Sequence, residues 1–143
     1  MPPQGPSLTL VRRLGAPPST VYAAWTDPDK ILRWWGPDAG PTLSATADVR
    51  IGGRFEVMFR TLDGKEHTCY GIYRDVVVDR KLVFTWRWRE RSDPESMVTI
   101  LLEPAGGGTE LTLIHEALPN EAERDSHRDG WSGALDKLNA FAA

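Results

Sequence analysis

The chain has 143 residues, 41% of them hydrophobic and 26% charged, and a formal charge of −3. A chain this long can bury a core without staples, its composition excludes a disordered body, and its acidic balance lacks the basic surplus of a nucleic-acid surface. A single cysteine, Cys69, excludes an intrachain disulfide, and no apolar run reaches the ~20 residues of a membrane span.

Residues 1–6 are rich in Pro and Gly and carry no apolar signal core. They are expected to be a flexible N-terminus, ahead of a single domain over residues 7–143 in a cytoplasmic protein. Leu8 and Leu10 alternate in a strand over 7–13. Ala16-Pro17-Pro18-Ser19 breaks it and opens a helix, because proline suits a first helical turn. Val21, Ala24 and Trp25 form its apolar side. Asp27-Pro28 starts a second short helix with Asp27 as N-cap. Ile31, Leu32, Trp34 and Trp35 line its apolar side, and Gly36-Pro37 ends it. Adjacent Trp34 and Trp35 cannot share one face; one is expected in the core and the other at a cavity mouth.

The middle of the chain reads as antiparallel strands. Every odd position from Leu43 to Ile51 is apolar, which predicts a half-buried strand over that span. Phe55, Val57 and Phe59 alternate with charged residues. Asp63-Gly64 predicts a two-residue type I′ hairpin turn. Residues 67–78 are a long β segment of ambiguous facing. Leu82, Phe84, Trp86 and Trp88 then alternate against Thr85, Arg87 and Arg89. Val98, Ile100 and Leu102 form another inward set. Gly106-Gly107-Gly108 turns into a last strand with Leu111, Leu113 and His115 on one face.

A long helix closes the chain. Asn120 and Glu123 fit a variant capping box. Trp131, Ala134, Leu135, Leu138, Phe141 and Ala142 follow the helical stripe. Gly130 and Gly133 interrupt it, for close packing, for a bend, or to leave a gap beside Trp131. Six antiparallel strands with one apolar face need a cover, and this helix has the length to supply it.

That order of elements resembles the SRPBCC superfamily, also called START/Bet v 1-like or helix-grip. More narrowly, it is similar to the family named after the C-terminal domain of the activator of the 90-kDa heat-shock chaperone's ATPase (AHSA1-like). The resemblance rests on Ala16-Pro17-Pro18, Trp25-Thr26-Asp27-Pro28, Trp34-Trp35-Gly36-Pro37, Gly52-Gly53-Arg54-Phe55 and Asp63-Gly64. It continues through Leu82-Val83-Phe84-Thr85-Trp86, the segment from Gly108 to Leu113, and Gly130-Trp131 with Leu135 and Leu138. It implies an α+β helix-grip fold: a curved antiparallel sheet of six to seven strands around the C-terminal helix, with an internal cavity. It further implies an apolar or aromatic small-molecule ligand, and a monomer or homodimer.

The expected ligand wall is Phe55, Val57, Phe59, Phe84, Trp86 and Trp88, with Trp35, Leu113, Trp131 and Leu135 around it. His115 and Tyr70 are the candidate polar groups, for orientation or, in an enzyme, for proton transfer. No HxxxH, HxH or cysteine pair predicts a metal site, and no glycine-rich motif predicts a cofactor. Three functions follow: a carrier or sequestering protein for an apolar ligand, a polyketide cyclase or dehydratase-like enzyme, and a chaperone-interaction module. No nucleic-acid or membrane partner is expected.

Overall fold

A computed structural model describes residues 5–142. Their elements in chain order are β1 (Leu8–Leu14), α1 (Pro18–Thr26), α2 (Pro28–Ile31), β2 (Thr42–Ala47), β3 (Arg54–Arg60), β4 (Glu66–Val77), β5 (Lys81–Trp88), β6 (Ser96–Ala105), β7 (Gly108–Glu116) and α3 (Glu121–Ala142). The strands form one seven-stranded sheet in the order β1-β7-β6-β5-β4-β3-β2. Every neighbouring pair is antiparallel. The fold is the helix-grip, with the long C-terminal helix against one face of the sheet.

Register builds that inner face. Leu8 pairs with His115, His115 with Val98, Val98 with Phe84, and Phe84 with Tyr73. Paired residues point to the same side, so five strands present one continuous row. All five of these residues are buried. The helix adds Trp131, Ala134, Leu135, Leu138 and Ala142 from its buried stripe. Side chains of this size stabilise the fold by roughly 1.5–3 kcal/mol each when fully buried. Arg12 of β1 donates to Ser132 Oγ at 3.2 Å, tying the edge strand to α3.

Local chemistry sets the helix starts. Asp27 accepts a hydrogen bond from the Asp29 N–H at 3.0 Å, and Pro28 follows at the first helical position. Asn120 Oδ1 accepts from the Glu123 N–H at 2.9 Å and caps α3. The Glu123 side chain does not return the bond; it pairs with Arg91 instead.

Several details differ from the sequence reading. β2 stops at Ala47, with a register shift between Thr42 and Ser44, and Ile51 is exposed in the following turn. Alternation alone does not register that turn as a break. The Asp63-Gly64 hairpin has positive φ only at Gly64 (+85°). Thr61 C=O accepts from the Gly64 N–H and Thr61 N–H donates to Lys65 C=O, the geometry of a type I turn followed by a bulge. Phe141 is partly exposed, with the Arg33 guanidinium 5.7 Å from its ring centroid. Residues 1–4 of the expected N-terminal segment lie outside the described residues; Pro6 C=O accepts from the Leu118 N–H at 3.1 Å.

The two helical glycines have distinct surroundings. A Cβ on Gly133 would lie 2.1 Å from the Pro37 carbonyl oxygen, closer than any contact allows. A Cβ on Gly130 would meet Pro37 Cβ at 3.4 Å. Gly133 therefore lets α3 touch the backbone of the loop after α2. Lys137, one turn on, donates to the Asp38 carbonyl at 2.6 Å and reaches the Trp35 carbonyl at 3.4 Å. Helix and loop are thus pinned together, and that junction forms one wall of the site.

Candidate functional site

Between α3 and the concave face of the sheet lies a cleft of about 360 Å³. Period two on β5 puts Trp86 and Trp88 on its floor. The loop after α2 supplies Trp35, Pro37 and Asp38; β3 supplies Phe59; the β3–β4 turn supplies Thr61 and Asp63; β4 supplies His67. From α3 come Glu123, His127, Gly130, Trp131 and Ala134. Their spacing of four, three, one and three is one helical stripe.

The floor is a cluster of indoles. Trp35 and Trp86 are stacked, with centroids 6.0 Å apart and planes 15° from parallel. Trp88 meets Trp86 at 5.2 Å and 85°, and Trp131 meets it at 5.3 Å and 61°. Edge and face contacts of this kind are worth about 0.5–1.5 kcal/mol each beyond area burial. The indole N–H groups of Trp86 and Trp88 are buried and have no protein hydrogen-bond partner. Leaving such a donor unsatisfied costs roughly 1–3 kcal/mol.

Behind the floor, the Trp131 indole N–H donates to His115 Nδ1 at 3.1 Å. That leaves Nδ1 as acceptor and Nε2 as donor, toward Ser96 Oγ at 2.8 Å. Ser96 in turn reaches the Trp86 carbonyl at 3.4 Å. Burial, and then the proximity of His127, hold His115 well below the ordinary histidine range. His127 lies edge-on to His115 at 4.6 Å and stacks on Trp88 at 5.7 Å and 30°. Burial pushes its pKa down to about 4, against the pull of Glu123 and with help from Arg91. Both rings are therefore neutral at pH 7.

Charged groups surround the mouth. His67 Nδ1 lies 2.8 Å from Glu90 Oε2, and its Nε2 lies 3.4 Å from Thr61 Oγ1. Partial burial opposes ionisation of Glu90, but His67 and the Thr68 N–H outweigh it and hold the carboxyl below its usual range. Asp63 is held low by the Thr61 hydroxyl and the Lys65 N–H. Arg91 Nη1 pairs with Glu123 at 2.5 Å and lies 3.6 Å from Asp93.

Of the twelve residues named from sequence, Trp35, Phe59, Trp86, Trp88 and Trp131 line the cleft. Phe55, Val57, Phe84, Leu113 and Leu135 are buried in the core and do not reach it. There the inner face is filled rather than open. His115 is fully buried, with both ring nitrogens occupied, and sits behind the wall. Tyr70 is misplaced by the sequence reading. Its neighbours Cys69 and Gly71 are buried, so it faces the convex side, where the Arg89 guanidinium lies 3.9 Å from its ring centroid.

Trp34 and Trp35 are both buried, and Trp34 donates its N–H to the Ala24 carbonyl at 2.9 Å. Arg87 and Arg89 face outward and pair with Glu95 and Glu56. Burial raises the Cys69 thiol pKa and leaves it unreactive. The sequence reading missed His67 and His127 as site residues. His127 was findable: it stands four residues before Trp131 on the same helical stripe.

A profile of the family described as Activator of Hsp90 ATPase homolog 1-like protein matches residues 15–143. A crystal structure of a protein from Chromobacterium violaceum is 28% identical with a TM-score of 0.87, covering 95% of this chain and 96% of that one. An AHSA1 protein from Silicibacter pomeroyi is 28% identical with a TM-score of 0.82, covering 94% and 96%. CalU16 from Micromonospora echinospora is 30% identical with a TM-score of 0.73, covering 96% and 76%. None of the curated proteins matches the chain. No described helix is long and apolar enough to cross a membrane.

Proposed function

Because the chain belongs to the family of Activator of Hsp90 ATPase homolog 1-like proteins, we propose that it binds an apolar, aromatic small molecule in the cleft between sheet and C-terminal helix, for carriage or sequestration. The observation that carries this reading is the indole floor. Four tryptophans from three separate elements converge on one cleft of about 360 Å³, within the size range of small-molecule sites. Rings supply burial area at low rotamer cost. A thermal-shift and tryptophan-fluorescence screen with planar aromatic compounds tests the reading. Binding at low micromolar concentration, lost in Trp86→Ala, is the expected outcome; a folded protein that binds none of them would refute it.

A second reading rests on a different pair. The imidazole of His67 and the carboxylate of Glu90 lie 2.8 Å apart at the cleft mouth, an arrangement suited to moving a proton. An enzyme of the cyclase or dehydratase kind would use this pair rather than His115 or Tyr70. Turnover of a bound ligand that vanishes in His67→Ala while binding persists would favour it.

A further inference from the structure

The charge at the cleft mouth points to the ligand's own charge. Four carboxylates line the cleft, those of Asp38, Asp63, Glu90 and Glu123, against one guanidinium, that of Arg91. By the same formal count as for the whole chain, which leaves histidine out, the lining carries −3. The whole chain also carries −3, from 20 acidic and 17 basic residues. The 16 acids and 16 bases outside the lining sum to zero, so the formal excess of the lining equals that of the whole chain.

The carboxylates are held in place. Asp38 accepts from the Gly40 N–H at 2.8 Å and the Leu62 N–H at 3.0 Å. Asp63 accepts from Thr61 and Lys65, Glu90 from Thr68, and Glu123 from Arg91. Lys65 stands close enough to Asp63 to help hold its carboxyl down, and the other nearby cations are engaged. Arg91 is shared between Glu123 and Asp93, and the Lys137 ammonium is spent on backbone carbonyls behind the loop. A cleft with low-dielectric walls focuses such a field and raises the local concentration of counter-charge. The indole rings beneath it attract cations by their quadrupoles. A carboxylate or phosphate ligand meets four lining carboxylates, with Arg91, already paired, as the one lining guanidinium.

We propose that the cleft selects organic cations: planar aromatic molecules carrying a protonated amine, with the rings on the Trp86–Trp88 floor and the ammonium among the rim carboxylates. This rests on the reading of the cleft as an apolar-ligand site and adds the charge that the ligand carries. A matched tricyclic series tests it by quenching of tryptophan fluorescence: aminoacridine as the cation, acridone as the neutral member and anthracene carboxylate as the anion. In low salt the cation should bind at least about tenfold more tightly than the anion, with the neutral member between them. The gap should narrow at high ionic strength, as the field is screened. The double variant Asp63→Asn, Glu90→Gln should weaken the cation at least about fivefold more than it weakens acridone, with far-ultraviolet circular dichroism certifying that the variant is folded.

Equal binding of all three probes, or preference for the anion, would overturn charge selection while leaving the cleft as a ligand site. Failure of every probe, acridone included, would overturn the site itself.

Discussion

The indole N–H of Trp131 ends on Nδ1 of His115, 3.1 Å away, and this contact fixes the state of a fully buried imidazole. Nδ1 cannot carry a proton while it accepts one from Trp131. The ring is neutral, its other nitrogen faces Ser96, and one helix, two strands and the back of the cleft are joined by it. His115 is a packing and hydrogen-bonding hub.

Replacing it tests that role. His115→Leu keeps the bulk but orphans the Trp131 N–H, while the Ser96 hydroxyl keeps the Trp86 carbonyl. A buried orphan costs about 1–3 kcal/mol, so the variant should lose about that much in urea unfolding. An unchanged midpoint would contradict the hub.

Acid should destabilise the protein through His115 and His127, which meet edge to face. The folded-state pKa of His127 is lowered to about 4 and that of His115 well below normal, while unfolded histidine titrates near 6.5. The unfolded chain therefore takes up protons first as pH falls. Their contribution is complete above about 6.5 and is lost as pH drops from there, ending near 4 for His127. Each group adds a slope of up to about 1.4 kcal/mol per pH unit. His127→Gln should shallow the stability–pH slope between pH 6 and 5, by up to one proton. An identical slope in the variant would remove His127 as a source.

Gly130 and Gly133 should respond in opposite directions to the same change. Alanine gains about 1 kcal/mol over glycine in a helix interior. Gly130→Ala meets Pro37 at 3.4 Å and should keep most of that gain. Gly133→Ala drives its methyl to 2.1 Å from the Pro37 carbonyl oxygen and should destabilise by about 1–3 kcal/mol. Thermal midpoints of the two variants decide it; a rise in both would mean that α3 does not press on this loop.

Lys137 should matter more than a surface lysine does. Burial lowers its pKa, yet it holds the carbonyls of Trp35 and Asp38. Lys137→Met should loosen the wall carrying Trp35 and weaken an aromatic cleft ligand by about three- to tenfold, roughly the net value of one ordinary hydrogen bond. Unaltered affinity would separate the loop from the site.

The frame of this fold is legible because its signals are local. Alternation on Leu82, Phe84, Trp86 and Trp88 sets their facing, and Asp27-Pro28 writes a helix start in two residues. The open part of the inner face is not local. Phe84 and Trp86 share parity, yet one packs against Phe55 and Tyr73 while the other lines the cleft. What separates them is the company each ring meets from distant elements: Trp25 of α1 beside Phe84, Trp35 and Trp131 against Trp86. Tyr70 went astray because β4 carries apolar residues on both faces and shifts register between Tyr73 and Asp75. His127 was hidden in a run of charges that reads as a solvated helix start, while its side chain is only 9% exposed.

The central claim is that the indole-floored cleft is a ligand site. The most direct measurement follows the side-chain indole N–H resonances in nitrogen–proton correlation spectra as acridone is titrated. The indole N–H signals of Trp86 and Trp88 should shift in a saturable way with one common affinity, with Trp34, whose N–H is tied to Ala24, nearly still. Saturable binding that leaves Trp86 and Trp88 unmoved, or shifts confined to residues outside the cleft, would contradict the account.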